Sequence, residues 1–172
     1  MKPQRSWLDW RSRFASAMLL ALAWAGQAQA GCSVSSSGLA FGTYQPLTFA
    51  GKLASSAATS TASVSVVCTG ISSASGYSIA LGPSTIGSGD RISTRYLGNS
   101  LGGDDMAFNI DTNASYSTVW GNGWIGSLVG GSMPAGDSNQ SQAVYGKIPA
   151  SQHTLRAGSF SGALTLTLTY NP

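Results

Sequence analysis

The 172-residue sequence contains no glutamate, one histidine and two cysteines, and only 9% of its residues carry charge. Each shortage closes off a class of protein. Without Glu, and with Ser, Thr and Gly dominating, no segment shows a sustained helical apolar period, so helices are expected to be few. A Ser/His/Asp or Cys/His catalytic set would have to be built on the lone His153, and both cysteines have another use. His153 is therefore read as a surface residue, no catalytic residue is assigned, and the chain is not expected to be an enzyme. Asp104-Asp105 and Asp111-Thr112-Asn113 lack the loop spacing of a dedicated calcium site and are read as turn and strand-end residues. No metal and no cofactor are expected.

The charge that is present is unevenly placed. Lys2, Arg5, Arg11 and Arg13 against Asp9 account for the whole formal charge of +3. Beyond residue 30, Lys52, Arg91, Arg95, Lys147 and Arg156 balance Asp90, Asp104, Asp105, Asp111 and Asp137. No basic stripe is left to neutralise phosphates, which argues against nucleic acid. Nor is any run long enough to span a bilayer: the apolar stretch over residues 14–25 falls short of the roughly 20 residues required. A positive head, that apolar stretch and Ala28-Gln29-Ala30 together have the layout of a secretory signal. Residues 1–30 are expected to be removed on export, leaving residues 31–172 as one domain without a transmembrane segment. Its uncharged surface suits self-association or incorporation into an assembly.

In an exported chain two cysteines most simply form one disulfide, here Cys32 to Cys68. The alternative, lipidation of Cys32, would leave Cys68 without a partner. Strand patterns fill the remainder. Residues 62–68 (ASVSVVC) set Val64, Val66 and Cys68 on one face; residues 77–81 and 106–110 repeat the device, and residues 144–148 do so more weakly. Residues 55–63, a Ser/Ala/Thr run, are expected to be a loop, and residues 87–90, 102–105 and 121–123 carry turn chemistry. The clearest strand is the last, where Phe160, Gly162, Leu164, Leu166, Leu168 and Tyr170 alternate with Ser, Ala and Thr over eleven residues. Short strands, turns and one disulfide point to an all-β antiparallel sandwich.

An ordered set of motifs then resembles a known family. Cys32 followed by Gly38-Leu39-Ala40-Phe41-Gly42-Thr43-Tyr44, Val67-Cys68, Tyr77-Ser78-Ile79, Trp120-Gly121-Asn122-Gly123, Val144-Tyr145-Gly146-Lys147-Ile148-Pro149, Gln152, and Ala157-Gly158-Ser159-Phe160 running on to Tyr170 are similar to the spore coat protein U domain. Members of that family include subunits of the archaic chaperone-usher, or Csu-type, pili. The resemblance implies an immunoglobulin-like antiparallel β-sandwich that lacks its final strand. An apolar groove then stays open beside the C-terminal strand, with Phe160, Leu164, Leu166, Leu168 and Tyr170 as its candidate lining. It also implies a periplasmic pilus chaperone, an outer-membrane usher and other pilus subunits as partners. Strand exchange into the groove would be the mechanism, as in donor-strand complementation. The other reading of residues 160–170 is an ordinary closing strand of a complete sandwich.

Cleavage after Ala30 would leave one residue ahead of Cys32, where polymerising subunits of the family carry a donor segment. Such a subunit can accept a strand without giving one, which suits a tip or initiating position. Residues 120–136 (WGNGWIGSLVGGSMPAG) add a candidate apolar adhesion patch, Trp124, Ile125, Leu128 and Val129, for which core contact and an exposed loop are equally open. The sequence thus points to a subunit of a surface pilus, exported through the periplasm and supporting adhesion and biofilm formation. A free-standing secreted coat or carbohydrate-binding module is the alternative.

Overall fold

The computed structural model describes residues 30–47 and 55–170. The expected signal, apart from Ala30, lies outside the described residues. Nine strands and no helix are found among them. The organising strand is β2 (Ala58–Ile71), whose Ala62, Val64, Val66 and Cys68 are buried on one face while Thr61, Ser63 and Val67 face outward. It pairs antiparallel with β1 (Gly31–Ser36) on one side and with β7 (Gly136–Ile148) on the other. Cys32 stands directly opposite Cys68 in the first ladder, and the two form the disulfide, their Cα atoms 4.1 Å apart. The expected loop over residues 55–63 is thus mostly strand. Its small side chains alternate in step with β7, and the ladder from Ala58–Ile148 to Cys68–Ser138 sustains what composition does not announce.

Two sheets result. One has the order β1-β2-β7-β5-β4-β8, adding β5 (Asp105–Asp111), β4 (Arg95–Asn99) and β8 (Phe160–Ser161). The other has the order β6-β3-β9, from β6 (Val129–Met133), β3 (Ser75–Leu81) and β9 (Leu166–Tyr170). The strand pairings are antiparallel throughout, and the apolar faces meet in one core that includes Val64, Val66, Ile79, Met106, Phe108, Trp120, Met133 and Ile148. The architecture is the expected all-β sandwich with one disulfide.

The C-terminal segment differs from its expected form as one eleven-residue strand. Phe160 and Ser161 pair with β4 in the larger sheet, whereas Leu166–Tyr170 pairs with β3 in the smaller. Between them Gly82 N–H donates to the Thr165 carbonyl, steering the chain across from one sheet to the other. Both sheets face the same interior, so the apolar alternation runs on unbroken while the hydrogen-bond partner changes.

Candidate functional site

An open apolar cavity of about 930 Å³ lies between the two sheets. Its floor is core: Ala62 of β2, Val144 and Ile148 of β7, and Met106, Phe108 and Ile110 of β5. One wall is the segment following β1. Leu39 and Phe41 lie over Gly146, so close that a Cβ there would come within 2.7 Å of the Phe41 ring and 2.8 Å of Leu39. Phe41 also meets Phe108 edge to face at 6.1 Å. The opposite wall comes from Leu155, Phe160, Leu164 and Leu166.

Polar contacts lock these walls. Tyr44 hydroxyl donates to the Pro149 carbonyl at 2.6 Å. Gln152 uses its side chain as a surrogate strand: Ala107 N–H donates to its Oε1 at 2.8 Å, and its Nε2 donates to the Ala107 carbonyl at 2.9 Å. The one charged side chain in the lining, Arg156, is mostly solvent-exposed and pairs with Asp104 at 3.4 Å.

Phe160, Leu164 and Leu166 of the candidate groove set therefore do line the cavity, and Leu168 and Tyr170 extend the same row along β9. All five are only half-buried, although they belong to the inward-facing row and pack against the core. The reason is topological. Strand β9 is an edge of its sheet, bonded to β3 on one side and to no strand on the other among the described residues. An edge with an apolar row and an open cavity beside it is a template for another strand.

The sequence reading missed the group that holds the far end of this cavity. Arg95, on an inward position of β4, is fully buried and spends all five N–H groups. Nε donates to Gly82 O, Nη1 to Ile92 O and Asn109 Oδ1, and Nη2 to Leu81 O and Trp120 O, at 2.7–3.1 Å. Burial pushes its pKa down to about 10, so the guanidinium stays charged at neutral pH. Leu81 and Trp120 line the cavity, and Trp120 Nε1 also donates to Ile79 O at 2.9 Å. Burial raises the carboxyl pKa of Asp111, partly opposed by Lys147 and Arg95. Asp90 moves the other way: the Ser93 hydroxyl and the Ile92 and Ser93 N–H groups hold its pKa down. A lone inward Arg in a five-residue strand leaves no apolar pattern to detect, and no sequence signal marks it.

The candidate adhesion patch divides. Trp124 is 93% exposed and Leu128 42%, Ile125 is half-buried, and Val129 is buried as the first residue of β6. Val129 packs with the core and leaves the patch, because β6 pairs it with Ile79 on the inward face. His153 is exposed. No group of three metal-ligating side chains gathers among the described residues.

One pentad that the sequence reading passed over, Gly98-Asn99-Ser100-Leu101-Gly102, has the Gly-x-Ser-x-Gly spacing of a hydrolase nucleophile. That chemistry needs a strand-to-helix turn. Here the pentad is the turn from β4 to β5, closed by Gly102 N–H donating to Asn99 O, with Ser100 exposed.

Comparison with curated proteins finds no match. Among solved structures, the crystal structure of the CsuC-CsuE chaperone-tip adhesion subunit pre-assembly complex, from archaic chaperone-usher Csu pili of Acinetobacter baumannii, contains a similar chain. The likeness has a TM-score of 0.47 at 15% identity and covers 81% of this chain and 40% of that one, so this chain spans well under half of its length. Residues 18–167, most of the sequence, match the family model for the Spore Coat Protein U domain, and the chain belongs to that family.

Proposed function

We propose that this chain is a structural subunit of a chaperone-usher surface pilus, and that its cavity receives a donor strand from another polypeptide. The observation that carries this reading is the open apolar cavity bounded by a β9 edge that pairs with no further strand among the described residues, with core residues as its floor. An incoming strand would complete the ladder along β9 and lower alternate apolar side chains between Phe41 and Leu166. Each such side chain gains about 1.5–3 kcal/mol on full burial, and the ladder hydrogen bonds along β9 add to that gain. Family membership supports the same reading.

The partners are then a periplasmic chaperone that fills the cavity first, an outer-membrane usher, and the subunit that supplies the permanent strand. The protein passes through the periplasm to the cell surface, where it supports adhesion and biofilm formation. With cleavage after Ala30, β1 begins at the first mature residue, which suits a strand-accepting tip or initiating subunit. No cofactor enters the mechanism.

The experiment is to export the chain with and without a chaperone. The chain alone should be degraded or multimeric, and the co-expressed chain should form a soluble one-to-one complex. A stable monomer without any partner would refute the proposal and favour a free-standing module.

A further inference from the structure

The loop between Trp120 and β6 presents an indole in a way that strand acceptance does not use. Trp124 is 93% exposed, yet the loop that carries it is held by several backbone and side-chain hydrogen bonds. Trp120 N–H donates to Ile110 O, Gly121 N–H to Ser127 O, Ser127 N–H to Val119 O and Asn122 N–H to Ile125 O. The Asn122 side chain accepts from both Trp124 N–H, at 3.0 Å, and Ile125 N–H, at 2.8 Å, an Asx turn immediately under the indole. Gly123 and Gly126 take positive φ, and Leu128 packs onto Gly123, where a Cβ would lie 3.3 Å from it. The root of the loop is Trp120, buried in the core. A fixed loop spends little entropy when it binds, and a large aromatic held in water on such a loop is an anchor waiting for a partner.

The chemistry of the surroundings selects that partner. Residues 119–135 contain no Asp, Glu, Lys, Arg or His. The loop itself therefore offers no charge to anionic lipid, nucleic acid or charged peptides. One indole flanked by a half-exposed Leu is also too small an apolar area to hold a bulk hydrophobic surface. A pyranose ring fits: its C–H face is flat and apolar enough to stack on an indole, and its hydroxyls find neutral amide and hydroxyl groups in the exposed Asn122 and Ser127 beside it.

We infer that Trp124 is the platform of a binding site for neutral polysaccharide. The inference is independent of the strand-acceptance reading and holds for a pilus subunit or a free-standing module alike. Beyond residue 30, Trp120 and Trp124 are the only tryptophans, one buried and one exposed, so emission reports on the site directly.

The test titrates the exported full chain, held soluble in complex with a tryptophan-free chaperone variant, with cellohexaose, chitohexaose, maltohexaose and mannohexaose. At least one should shift the exposed emission to the blue and shield it from acrylamide. Trp124→Ala should weaken that binding tenfold or more, and Trp124→Phe should retain part of it. Both variants should keep the wild-type Trp120 emission and far-UV spectrum, which separates loss of a site from loss of fold. The inference is overturned by silence with all four sugars, by binding that survives Trp124→Ala, or by Trp124-dependent adsorption to polystyrene without any sugar response.

Discussion

Replacing Arg95 by methionine tests how the sandwich holds its open cavity in shape. The guanidinium is fully buried and bridges Leu81 and Gly82 at the end of β3, Ile92 and Asn109 on the side of the larger sheet, and Trp120 at the root of the exposed loop. Methionine fills much of the same volume and donates nothing. Three of the stranded acceptors, the carbonyls of Leu81, Ile92 and Trp120, lie in buried bonds, each costing about 1–3 kcal/mol when left unmade. Three such acceptors sum to about 3–9 kcal/mol, and removing the desolvation of a buried cation offsets part of that loss, leaving about 3–5 kcal/mol net. Against a total stability of about 5–15 kcal/mol, this is a fifth or more of what holds the domain together. At about 2–4 °C per kcal/mol for a domain of this size, the midpoint should fall by roughly 6–20 °C. The assay is thermal and urea unfolding of the partner-bound chain followed by emission of Trp120, whose carbonyl the guanidinium holds. Arg95→Lys, which keeps the charge but has three donors, should fall between the two. A methionine variant within about 1 kcal/mol of wild type would refute the reasoning, because the carbonyls would then have found other donors.

Two further outcomes follow from the same structure. Replacing both Cys32 and Cys68 by alanine opens a loop of sequence separation 36 and should cost roughly 3–4 kcal/mol, read as a lower urea midpoint and greater protease sensitivity of the exported chain. The pKa of Asp111 is raised in the folded state, so the fold binds its proton more tightly than the unfolded chain does. Its contribution is present at low pH and is lost as pH rises from the ordinary carboxylate value through the folded one. Asp111→Asn should therefore raise the thermal midpoint by a few degrees at pH 7, and that advantage should vanish near pH 3. An advantage that grows on acidification would contradict the sign.

The sequence showed those strands whose side chains alternate by type. Residues 62–68, 77–81 and 106–110 each lie inside an observed strand, and each gains residues at one or both ends because pairing continues past the apolar side chains. Strand β7 shows the limit: only its last five residues carry a pattern, while Ser138, Gln140 and Gln142 face inward as polar groups and are held by the ladder to β2. Strand β4 was invisible because its inward row, Arg95, Leu97 and Asn99, is mostly polar. The final segment was readable as alternation but not as two half-strands, since alternation reports which face is apolar and says nothing of which neighbour supplies the hydrogen bonds. The cavity itself needed both kinds of information. Its lining residues near the C-terminus stand out in the sequence, whereas the wall made by Leu39 and Phe41 depends on their packing over Gly146, a contact across more than one hundred residues.

The most direct measurement of the central claim is amide hydrogen exchange along β9, in dilute chain freshly released from its chaperone and again after the cavity is refilled by the chaperone or by a peptide with alternating apolar residues. Along Leu166–Tyr170, the amides that do not pair with β3 should exchange quickly in the unfilled chain and become strongly protected once the strand docks, and Leu166→Asp should abolish that protection. If those amides are equally protected with and without a partner, β9 is already a paired interior strand, and the account of an open, strand-accepting cavity is wrong.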